Sequence, residues 1–587
     1  MIKLLKNFNK KDWFYVFICV CLITFQVFLD LRMPDYMSNI TQLVQTEGAS
    51  INDILREGSK MLICAMGSLI AAGITGYFSS IVAASFSLHT REKVFKKVTS
   101  FSINEIKKFN TSSLITRTTN DITQIEMLIA MGLAMIIKAP ITAVWAITKI
   151  LGKSLVWSGI TALAVVILLI TLIIIMIIVV PRFKIIQKLI DNMNLVTREN
   201  LSGIRVVRAF NAESYEENKF NNVNEDLTSN QIFNQKAFNY LNPVMNLVLN
   251  FLTLGIYFVG AYLIKEAGLS DKVVLFGDMV VFMAYAMQVI ASFLMLAMIF
   301  MIMPRASVSA KRINEVLNSD ESIENGSIKK NTNGLKGTIE FKNVSFKYPD
   351  ADEYLLKDIS FKANMGETIA FIGSTGSGKS TLINLIPRFY DVTDGEILVN
   401  GINIKDYDQE YLNNIIGYVP QKAVMFSGTV ESNVSYGKSI HGKAKKQKVE
   451  EALKISQAYE FVSKLDKKEK SHIASGGTNI SGGQKQRLSI ARTIARDPEI
   501  YIFDDSFSAL DYKTDSVLRR ELKKYTKNAT SLIVAQRIGT ILHADKIIVL
   551  DNGKCVGIGT HKELMKKCKV YKEIALSQVT KEELDNA

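Results

Sequence analysis

Long apolar runs fill the first half of the chain, whereas short apolar runs alternate with polar segments in the second half. A helix needs about 20 mostly apolar residues to cross a bilayer. Runs of that length lie near residues 13–34, 61–86, 127–149, 155–180, 241–264 and 279–303. The clearest of them, Leu155 to Val180, contains no charged residue and ends at Pro181. The pattern therefore predicts six membrane-spanning helices.

The segments between and after these runs predict the domain organisation. Residues 87–126 and 182–240 contain few Gly or Pro, so we expect them to continue the membrane helices into solvent. A basic helix is predicted from Arg305 to Leu317, and strand-like runs such as Thr368–Ile372 and Ile500–Phe503 later alternate with helical segments. We expect a transmembrane domain over 1–305, a connecting helix and linker over 306–337, and an α/β domain over 338–587.

Charge is distributed unevenly along the chain. There are 70 Lys and Arg residues against 56 Asp and Glu residues, which gives a net charge of +14. In the first half the cations collect before the first span, in the two long connections and after the sixth span. Such an excess marks the cytoplasmic side of a membrane protein. We expect a multi-pass protein of the cell membrane with its N-terminus and C-terminal domain in the cytoplasm.

Two other interpretations of the composition are disfavoured. The basic runs Lys443–Lys448 and Lys464–Lys470 lack the interleaved aromatic residues that stack on bases, so we expect no nucleic-acid partner. The five cysteines form no CxxC pair and no Cys/His cluster. The sequence therefore predicts neither a disulfide framework nor a zinc site.

A phosphate-binding loop pattern opens the C-terminal domain. The segment Gly373–Ser380 matches GxxxxGK[ST], follows the strand Thr368–Ile372 and precedes a helix predicted from Thr381. In such a loop, backbone N–H groups and the helix N-terminus face phosphate oxygens. Lys379 should reach the β- and γ-phosphates, and Ser380 should ligate Mg²⁺. The candidate nucleotide-binding residues here are Gly373, Ser374, Thr375, Gly376, Ser377, Gly378, Lys379, Ser380 and Thr381.

Other motifs follow in a set order. Asp504 ends the apolar run Ile500–Phe503, as a carboxylate on the Mg²⁺ side of a nucleotide site does. The full series is Tyr348, the phosphate loop, Gln421 after Pro420, Ile480-Ser481-Gly482-Gly483-Gln484, Asp504 and Ser508-Ala-Leu-Asp511. This series resembles the ATP-binding domain of the ABC ATPases, with Ile480 in place of the usual Leu of their LSGGQ signature.

The membrane half resembles the same family. Six spans with two long cytoplasmic extensions, ahead of one ATP-binding domain, are similar to an ABC exporter half-transporter. The segments Thr116–Asp121 and Glu199–Glu213 look like parts of the two extensions. The resemblance implies an α-helical transmembrane domain followed by an α/β P-loop ABC nucleotide-binding domain, and a second half-transporter as partner.

The resemblance also implies the role of each motif. In this family two ATP molecules lie between two nucleotide-binding domains, each on the phosphate loop of one chain and the SGGQ of the other. Tyr348 would stack on adenine, and Gln421 would contact Mg²⁺ together with Ser380 and Asp504. Asp511 is expected among the catalytic residues. The residues expected on the partner chain's ATP are Ser481, Gly482, Gly483 and Gln484.

Two catalytic positions depart from the family pattern. Asp505 stands where a catalytic Glu is usual, and Gln536 stands where a switch His is usual. Aspartate is one methylene shorter, which withdraws its carboxylate by about 1 Å, and such a displacement can cost about 10²-fold in rate. Gln536 can donate a hydrogen bond but cannot carry a proton. Ser475 also replaces a usual Glu ahead of SGGQ. We expect ATP to bind at this chain's site and to be hydrolysed slowly there.

These departures predict an unequal pair of chains. A self-paired chain would have two slow sites, yet its SGGQ, which serves the partner's ATP, is nearly intact. We therefore expect a heterodimer whose other chain supplies the catalytic Glu and the switch His. The alternative is a homodimer in which Asp505 suffices as the base.

The membrane half carries polar residues at unusual depths. Asn239, Asn242, Asn246 and Asn250 share one helical face. This asparagine face should line the bundle interior or a water-filled substrate cavity, or else form hydrogen bonds between helices without substrate contact. Lys138 lies in mid-span, where it would pair within the bundle or else meet an anionic group, and we favour the structural role.

The predicted function is ATP-driven export of amphipathic or drug-like compounds across the lipid bilayer. The alternatives are a lipid flippase, a peptide exporter, or a regulatory or sensing subunit. In such a subunit the slow ATP site would gate transport rather than power it.

Overall fold

The computed structural model describes residues 2–45, 50–151, 155–331, 333–438 and 442–578. The chain divides into two compact units. The membrane unit comprises Met1–Thr99 and Ser112–Ser319, and the ATP-binding unit comprises Ser100–Thr111 and Asp320–Ala587. The short segment Ser100–Thr111 thus groups with the C-terminal part of the chain, although it lies within the first long connection.

Most of the described residues up to Leu317 lie in helices. They are α1 (Lys10–Gln45), α2 (Ile51–Ser100), α3 (Ile103–Phe109), α4 (Thr111–Thr118), α5 (Asn120–Leu151), α6 (Leu155–Ser202), α7 (Ile204–Ala209), α8 (Glu213–Asn239), α9 (Leu241–Glu266) and α10 (Leu269–Leu317). Among the described residues, six helical stretches are long and apolar enough to cross a membrane, which confirms the predicted six spans.

Several membrane helices continue far beyond their apolar runs. Helix α2 extends to Ser100 and α6 to Ser202, so both long connections are helical as expected. Helix α10 is continuous through Pro304, where the sequence suggested a separate helix from Arg305. A proline removes one backbone hydrogen bond without stopping a helix that is held on both sides. Packing against neighbouring helices therefore outweighs the local signal.

The core of the membrane unit lies where α10 packs against α1, α5 and α9. Trp157, on α6, and Phe282, on α10, are fully buried in this core, with ring centroids 5.4 Å apart. Two ion pairs join α1 to α5. Lys138 Nζ lies 3.0 Å from Asp30 Oδ2, which confirms the expected pairing within the bundle, and Lys149 Nζ lies 3.0 Å from Asp35 Oδ2.

The ATP-binding unit is built on twelve described strands. They are β1 (Ile339–Phe346), β2 (Leu356–Ala363), β3 (Thr368–Gly373), β4 (Asp394–Val399), β5 (Ile402–Asn403), β6 (Ile416–Val419), β7 (Gly428–Thr429), β8 (His472–Ile473), β9 (Ile500–Asp504), β10 (Thr530–Val534), β11 (Lys546–Asp551) and β12 (Lys554–Gly559). Its later helices are α11 (Lys379–Asn384), α12 (Gln409–Ile415), α13 (Val430–Val434), α14 (Lys446–Ile455), α15 (Tyr459–Val462), α16 (Gly482–Arg496), α17 (Tyr512–Tyr525), α18 (Ile538–Ile541), α19 (His561–Lys567) and α20 (Lys569–Leu576).

The central sheet has the order β12-β11-β3-β10-β9-β6. The strands β11, β3, β10, β9 and β6 run parallel, and β12 is antiparallel at one edge. Alternate residues of β9 enter separate cores, with Tyr501 and Phe503 on one face and Ile500 and Ile502 on the other. A sheet buried on both faces explains why its strands are continuous apolar runs in the sequence.

The strand register brings the predicted motifs to one edge. Asp504 pairs with Val534 across β9 and β10, Val534 pairs with Phe371 on β3, and Val419 on β6 pairs with Phe503. In parallel α/β sheets, ligands bind beyond the carboxyl ends of the strands. The segments that follow these four strands therefore meet at the same place.

Candidate functional site

The phosphate loop connects β3 to α11. Gly376 and Gly378 have φ values of 86° and 92°, a left-handed conformation that favours glycine. The helix begins at Lys379, earlier than the predicted Thr381, because Gly378 already occupies its N-cap position. The ammonium group of Lys379 donates to the carbonyl oxygen of Ser374 at 2.7 Å. Burial lowers the pKa of Lys379.

A hydroxyl and a carboxylate meet beside this loop. Ser380 Oγ donates to Asp504 Oδ1 at 2.8 Å, and Tyr418 OH lies 3.5 Å from Asp504 Oδ2. Asp504 is buried at the end of β9, and this burial raises the pKa of its carboxyl group. The pair presents hard oxygen atoms of the kind that coordinate Mg²⁺.

Two predicted residues converge on one oxygen atom of Asp505, itself a predicted site residue. Its Oδ2 accepts hydrogen bonds from Gln421 Nε2 at 3.2 Å and from Gln536 Nε2 at 2.9 Å. The backbone of Asp505 is left-handed, with φ at 46°, and its N–H donates to Val534 O at 3.0 Å. The carboxylate therefore sits on a fixed backbone between two amide donors, neither of which can take up a proton.

Tyr348 lies at the other side of the phosphate loop. Its hydroxyl lies 3.0 Å from Thr381 Oγ1, and its ring packs edge-on against Phe346 and Tyr390. Lys107, on α3, lies 4.9 Å from the centre of the Tyr348 ring. Tyr348 thus lies beside the first turn of α11, which follows the phosphate loop.

The SGGQ segment begins helix α16. Ser481 is the N-cap: its Oγ accepts from Gln484 N at 3.3 Å, and its own N–H donates to Gln484 Oε1 at 2.9 Å. A Cβ atom at Gly482 would meet nothing within 4 Å, so this helix start has open space before it. Among the described hydrogen bonds, none joins this segment to the phosphate loop of the same chain.

The segment Ser508–Asp511 lies beside SGGQ. A Cβ atom at Gly483 would stand 3.2 Å from the carbonyl oxygen of Ala509. Asp511 is the N-cap of α17, and its Oδ1 accepts from Thr514 N at 2.9 Å. This backbone hydrogen bond lowers the pKa of Asp511. Asp511 is therefore a charged group next to the open start of α16.

Comparison with known proteins decides the family. The model of the ABC transporter transmembrane region matches residues 16–318, and the ABC transporter model matches residues 356–508. The chain belongs to the ABC transporter family. An uncharacterized ABC transporter ATP-binding protein of Mycobacterium tuberculosis is 37% identical over 554 residues, covering 92% of this chain and 93% of that protein.

Two further comparisons concern export. The putative multidrug export ATP-binding/permease protein YgaD of Bacillus subtilis is 30% identical over 505 residues, covering 85% of this chain and 84% of that protein. A bacterial Atm1-family ABC exporter solved with ATP bound has the same fold, with a TM-score of 0.83 at 23% identity over 96% of this chain and 98% of that chain. The chain is an ABC half-transporter: a multi-pass membrane protein with a cytoplasmic ATP-binding domain and an ATPase activity coupled to transport.

The asparagine face of this ABC transporter spans a helix break. Asn239 ends α8, whereas Asn242, Asn246 and Asn250 belong to α9, and the break falls at Tyr240. All four side chains are exposed on the single chain. Among the described contacts, only Asn239 has a side-chain hydrogen bond, with Gln235 of its own helix. The asparagine face is therefore not covered by the described helices of this chain.

A polar cleft lies elsewhere in the membrane unit. It has a volume of about 660 Å³ and lies among α4, the end of α6 and the end of α10. Arg117, Arg198 and Arg312 line it together with hydroxyl-bearing residues, and Arg117 also donates to Glu315 at 2.9 Å. None of the four asparagines lines this cleft.

Sequence patterns did not indicate two side chains near Asp504 and Gln536. Tyr418 lies on β6 and reaches Asp504 from a distant part of the sequence. Gln578 follows α20 and bonds to the backbone at Gln536. No motif contains either residue, because their proximity depends on sheet order and on the docking of the last helix.

Proposed function

We propose that this chain is one half of a heterodimeric ABC exporter, and that the ATP site on its own phosphate loop turns over slowly. The observation that carries the proposal is the environment of Asp505. Its Oδ2 accepts hydrogen bonds from both Gln421 and Gln536. A general base needs a lone pair directed at a water molecule about 2.6–3.2 Å away. At Asp505 Oδ2, two amide donors compete with water for the lone pairs.

The backbone at Asp505 offers no compensation for the short side chain. Its N–H is bonded to Val534 O at 3.0 Å, and its carbonyl oxygen accepts from Ser508 Oγ at 2.9 Å. The carboxylate cannot advance by the missing methylene without breaking these bonds. A displacement of about 1 Å at a reacting group can cost about 10²-fold in rate, which supports slow hydrolysis at this site.

The neighbouring residues suit the binding of MgATP. Ser380 Oγ and Asp504 Oδ1 lie 2.8 Å apart and would hold Mg²⁺, with Gln421 as a further ligand. Bound Mg²⁺ would neutralise charge on the phosphate oxygens. Lys379 would exchange its contact with the Ser374 carbonyl oxygen for the β- and γ-phosphates, and the Tyr348 ring would stack on adenine. The site would then bind ATP while hydrolysing it slowly.

A second chain is required for function. An ABC half-transporter dimerises, and in this chain SGGQ starts a helix that faces open space. Ser481, Gly483 and the N-terminus of α16 offer donors to an anion carried by another chain. Four apolar side chains of the second extension are exposed on the single chain, and we infer that a partner chain covers them: Leu201, Val206, Phe210 and Tyr215.

The motifs present in this chain indicate that its partner has a different ATP site. It has the groups that would complete a partner's ATP site, namely SGGQ and Asp511, but lacks the Glu and His expected at its own. With a partner that has those residues, the complex would have one site that hydrolyses ATP rapidly and one site that holds ATP and hydrolyses it slowly. A homodimer would give two slow sites, and we take it as the alternative outcome of the test.

We further propose that the exported compounds are amphipathic. The asparagine face adjoins exposed apolar side chains on α9, including Leu247 and Leu254, so a cavity along this helix would offer both amide groups and hydrocarbon. Asparagine side chains exposed to lipid are costly, which favours a water-filled cavity. Similarity to a putative multidrug export protein supports the same substrate class.

The experiment restores the usual residues with Asp505→Glu and Gln536→His in the full-length chain, co-purified with its partner. ATPase activity should rise, by up to about twofold as one active site becomes two. Asp466→Glu with Gln447→His, at exposed positions, is the matched control and should change nothing. If the ATPase rate is unchanged in the Asp505→Glu, Gln536→His variant, the proposal that this chain's site hydrolyses ATP slowly is wrong. A chain that purifies alone with full activity contradicts the heterodimer.

A further inference from the structure

Gln578, just after helix α20, contacts the loop that carries Gln536. Its Oε1 accepts from Ile538 N at 2.8 Å, and its Nε2 donates to Gln536 O at 2.7 Å. One side-chain amide thus satisfies backbone groups on both sides of Arg537. This two-point contact is the only described side-chain contact to the backbone of Gln536 and Ile538.

The support for this amide is rigid. Gln578 follows α20, which packs against β3 and β11 and buries Tyr571 and Ala575. The hydroxyl of Tyr571 lies 2.8 Å from His561 Nδ1 on α19. The end of α20 is therefore held by buried contacts, and Gln578 can transmit that position to the loop.

The loop position determines where Gln536 points. Ala535 is fixed to the sheet by its N–H bond to Phe371 O at 3.2 Å, so the loop is held on one side by β3 and on the other by Gln578. Between these two points, Gln536 Nε2 reaches Asp505 Oδ2 at 2.9 Å. A shift of the loop by about 1 Å would break that hydrogen bond.

We propose that Gln578 is a positioning residue for the ATP site of this chain. It holds the loop so that the Gln536 amide stays on Asp505 and, in the nucleotide-bound protein, beside the γ-phosphate. The segment that follows α20 thereby sets how long the site retains its nucleotide. This inference rests on the proposed roles of Asp505 and Gln536. Its geometry is local to the ATP-binding unit and involves only described residues.

The test uses the full-length transporter in lipid nanodiscs. Gln578→Ala removes both hydrogen bonds, and Gln578→Glu keeps the acceptor for Ile538 N but loses the donor to Gln536 O. Lys572→Ala, on the exposed face of α20, is the matched control. Hydrogen exchange of a peptide covering residues 536–541 measures how firmly Gln578 holds the loop. The rate at which labelled ATP leaves this chain measures how long the site retains its nucleotide.

We expect Gln578→Ala to speed both exchange and ATP release by about two- to tenfold, the range for the loss of one or two hydrogen bonds. Gln578→Glu should fall between Gln578→Ala and the parent, and Lys572→Ala should match the parent. Faster exchange with unchanged ATP release would reduce Gln578 to a structural contact and overturn the proposal, as would no change in either. If Asp505→Glu with Gln536→His leaves ATPase unchanged, the slow site fails, while exchange and release still decide the role of Gln578.

Discussion

The amide nitrogen Nε2 of Gln536 lies 2.9 Å from Oδ2 of Asp505. A second amide, from Gln421, reaches the same oxygen at 3.2 Å. Both donors hold the carboxylate in place, but neither can pass a proton on. A site built this way suits the holding of ATP better than its repeated hydrolysis, and the following predictions examine each part of that account.

Removing the Tyr348 ring should weaken ATP binding. Stacking of a base on an aromatic side chain is worth about 1–3 kcal/mol, so Tyr348→Ala should raise the ATP concentration needed for half-saturation about 5- to 150-fold. Tyr348→Phe loses only the contact with Thr381 Oγ1 and should stay close to the parent. Equilibrium binding of a fluorescent ATP analogue measures both. Tyr354→Ala, at an exposed tyrosine of the same unit, is the control and should bind normally.

Ser481→Ala should impair the partner's site rather than this chain's own. The substitution removes an N-cap, at about 1 kcal/mol of stability, and a hydroxyl donor directed out of the chain. We expect ATPase of the complex to fall at least about tenfold, with ATP retention on this chain unchanged. Asp408→Ala removes another N-cap of the same unit, at α12, and should leave ATPase intact. Equal losses in both variants would show that the effect is only one of stability.

Lys138→Ala should destabilise the membrane unit. It leaves the Asp30 carboxylate without its cation, and breaking a partly buried pair from one side costs up to about 3 kcal/mol. Lys138→Met combined with Asp30→Asn should recover most of that loss, because no charge is left unpaired. Thermal unfolding in detergent measures all three proteins. The exposed pair Lys342–Glu396 is the control: Lys342→Ala should cost less than about 1 kcal/mol.

The asparagine face should affect transport more than folding. Asn246 and Asn250 are exposed and have no described hydrogen bond to another helix. Asn246→Leu with Asn250→Leu should therefore lower the uptake of an amphipathic dye into inverted vesicles while leaving the unfolding temperature unchanged. Leu247→Ile, at an exposed neighbouring position, is the control and should change neither the dye uptake nor the unfolding temperature. A lower unfolding temperature with normal uptake per folded complex would indicate interhelical packing instead.

Much of the fold could be predicted from local sequence. Uncharged runs of about 20 residues have few structural alternatives, and the six spans were found within their helices. The apolar strands of the central sheet were also readable, because burial on both faces removes the polar alternation. The phosphate loop was evident because its glycines and Lys379 stand at fixed spacing.

Contacts between distant residues could not be predicted. Gln421, Asp505 and Gln536 meet only because β6, β9 and β10 are neighbours in the sheet, and strand order is not written in any one segment. The partners of Lys138 and Lys149 on α1 depend on helix packing in the same way. The continuity of α10 through Pro304 runs against the local proline signal, since tertiary packing outweighs single-residue propensity.

The most direct test of the account is the nucleotide found on this chain after turnover. The complex is incubated with radiolabelled azido-ATP and Mg²⁺, irradiated, and separated into its chains, and the label on each is identified as di- or triphosphate. We expect triphosphate on the phosphate loop of this chain and diphosphate on that of its partner. Diphosphate on both loops in equal amounts would contradict the account.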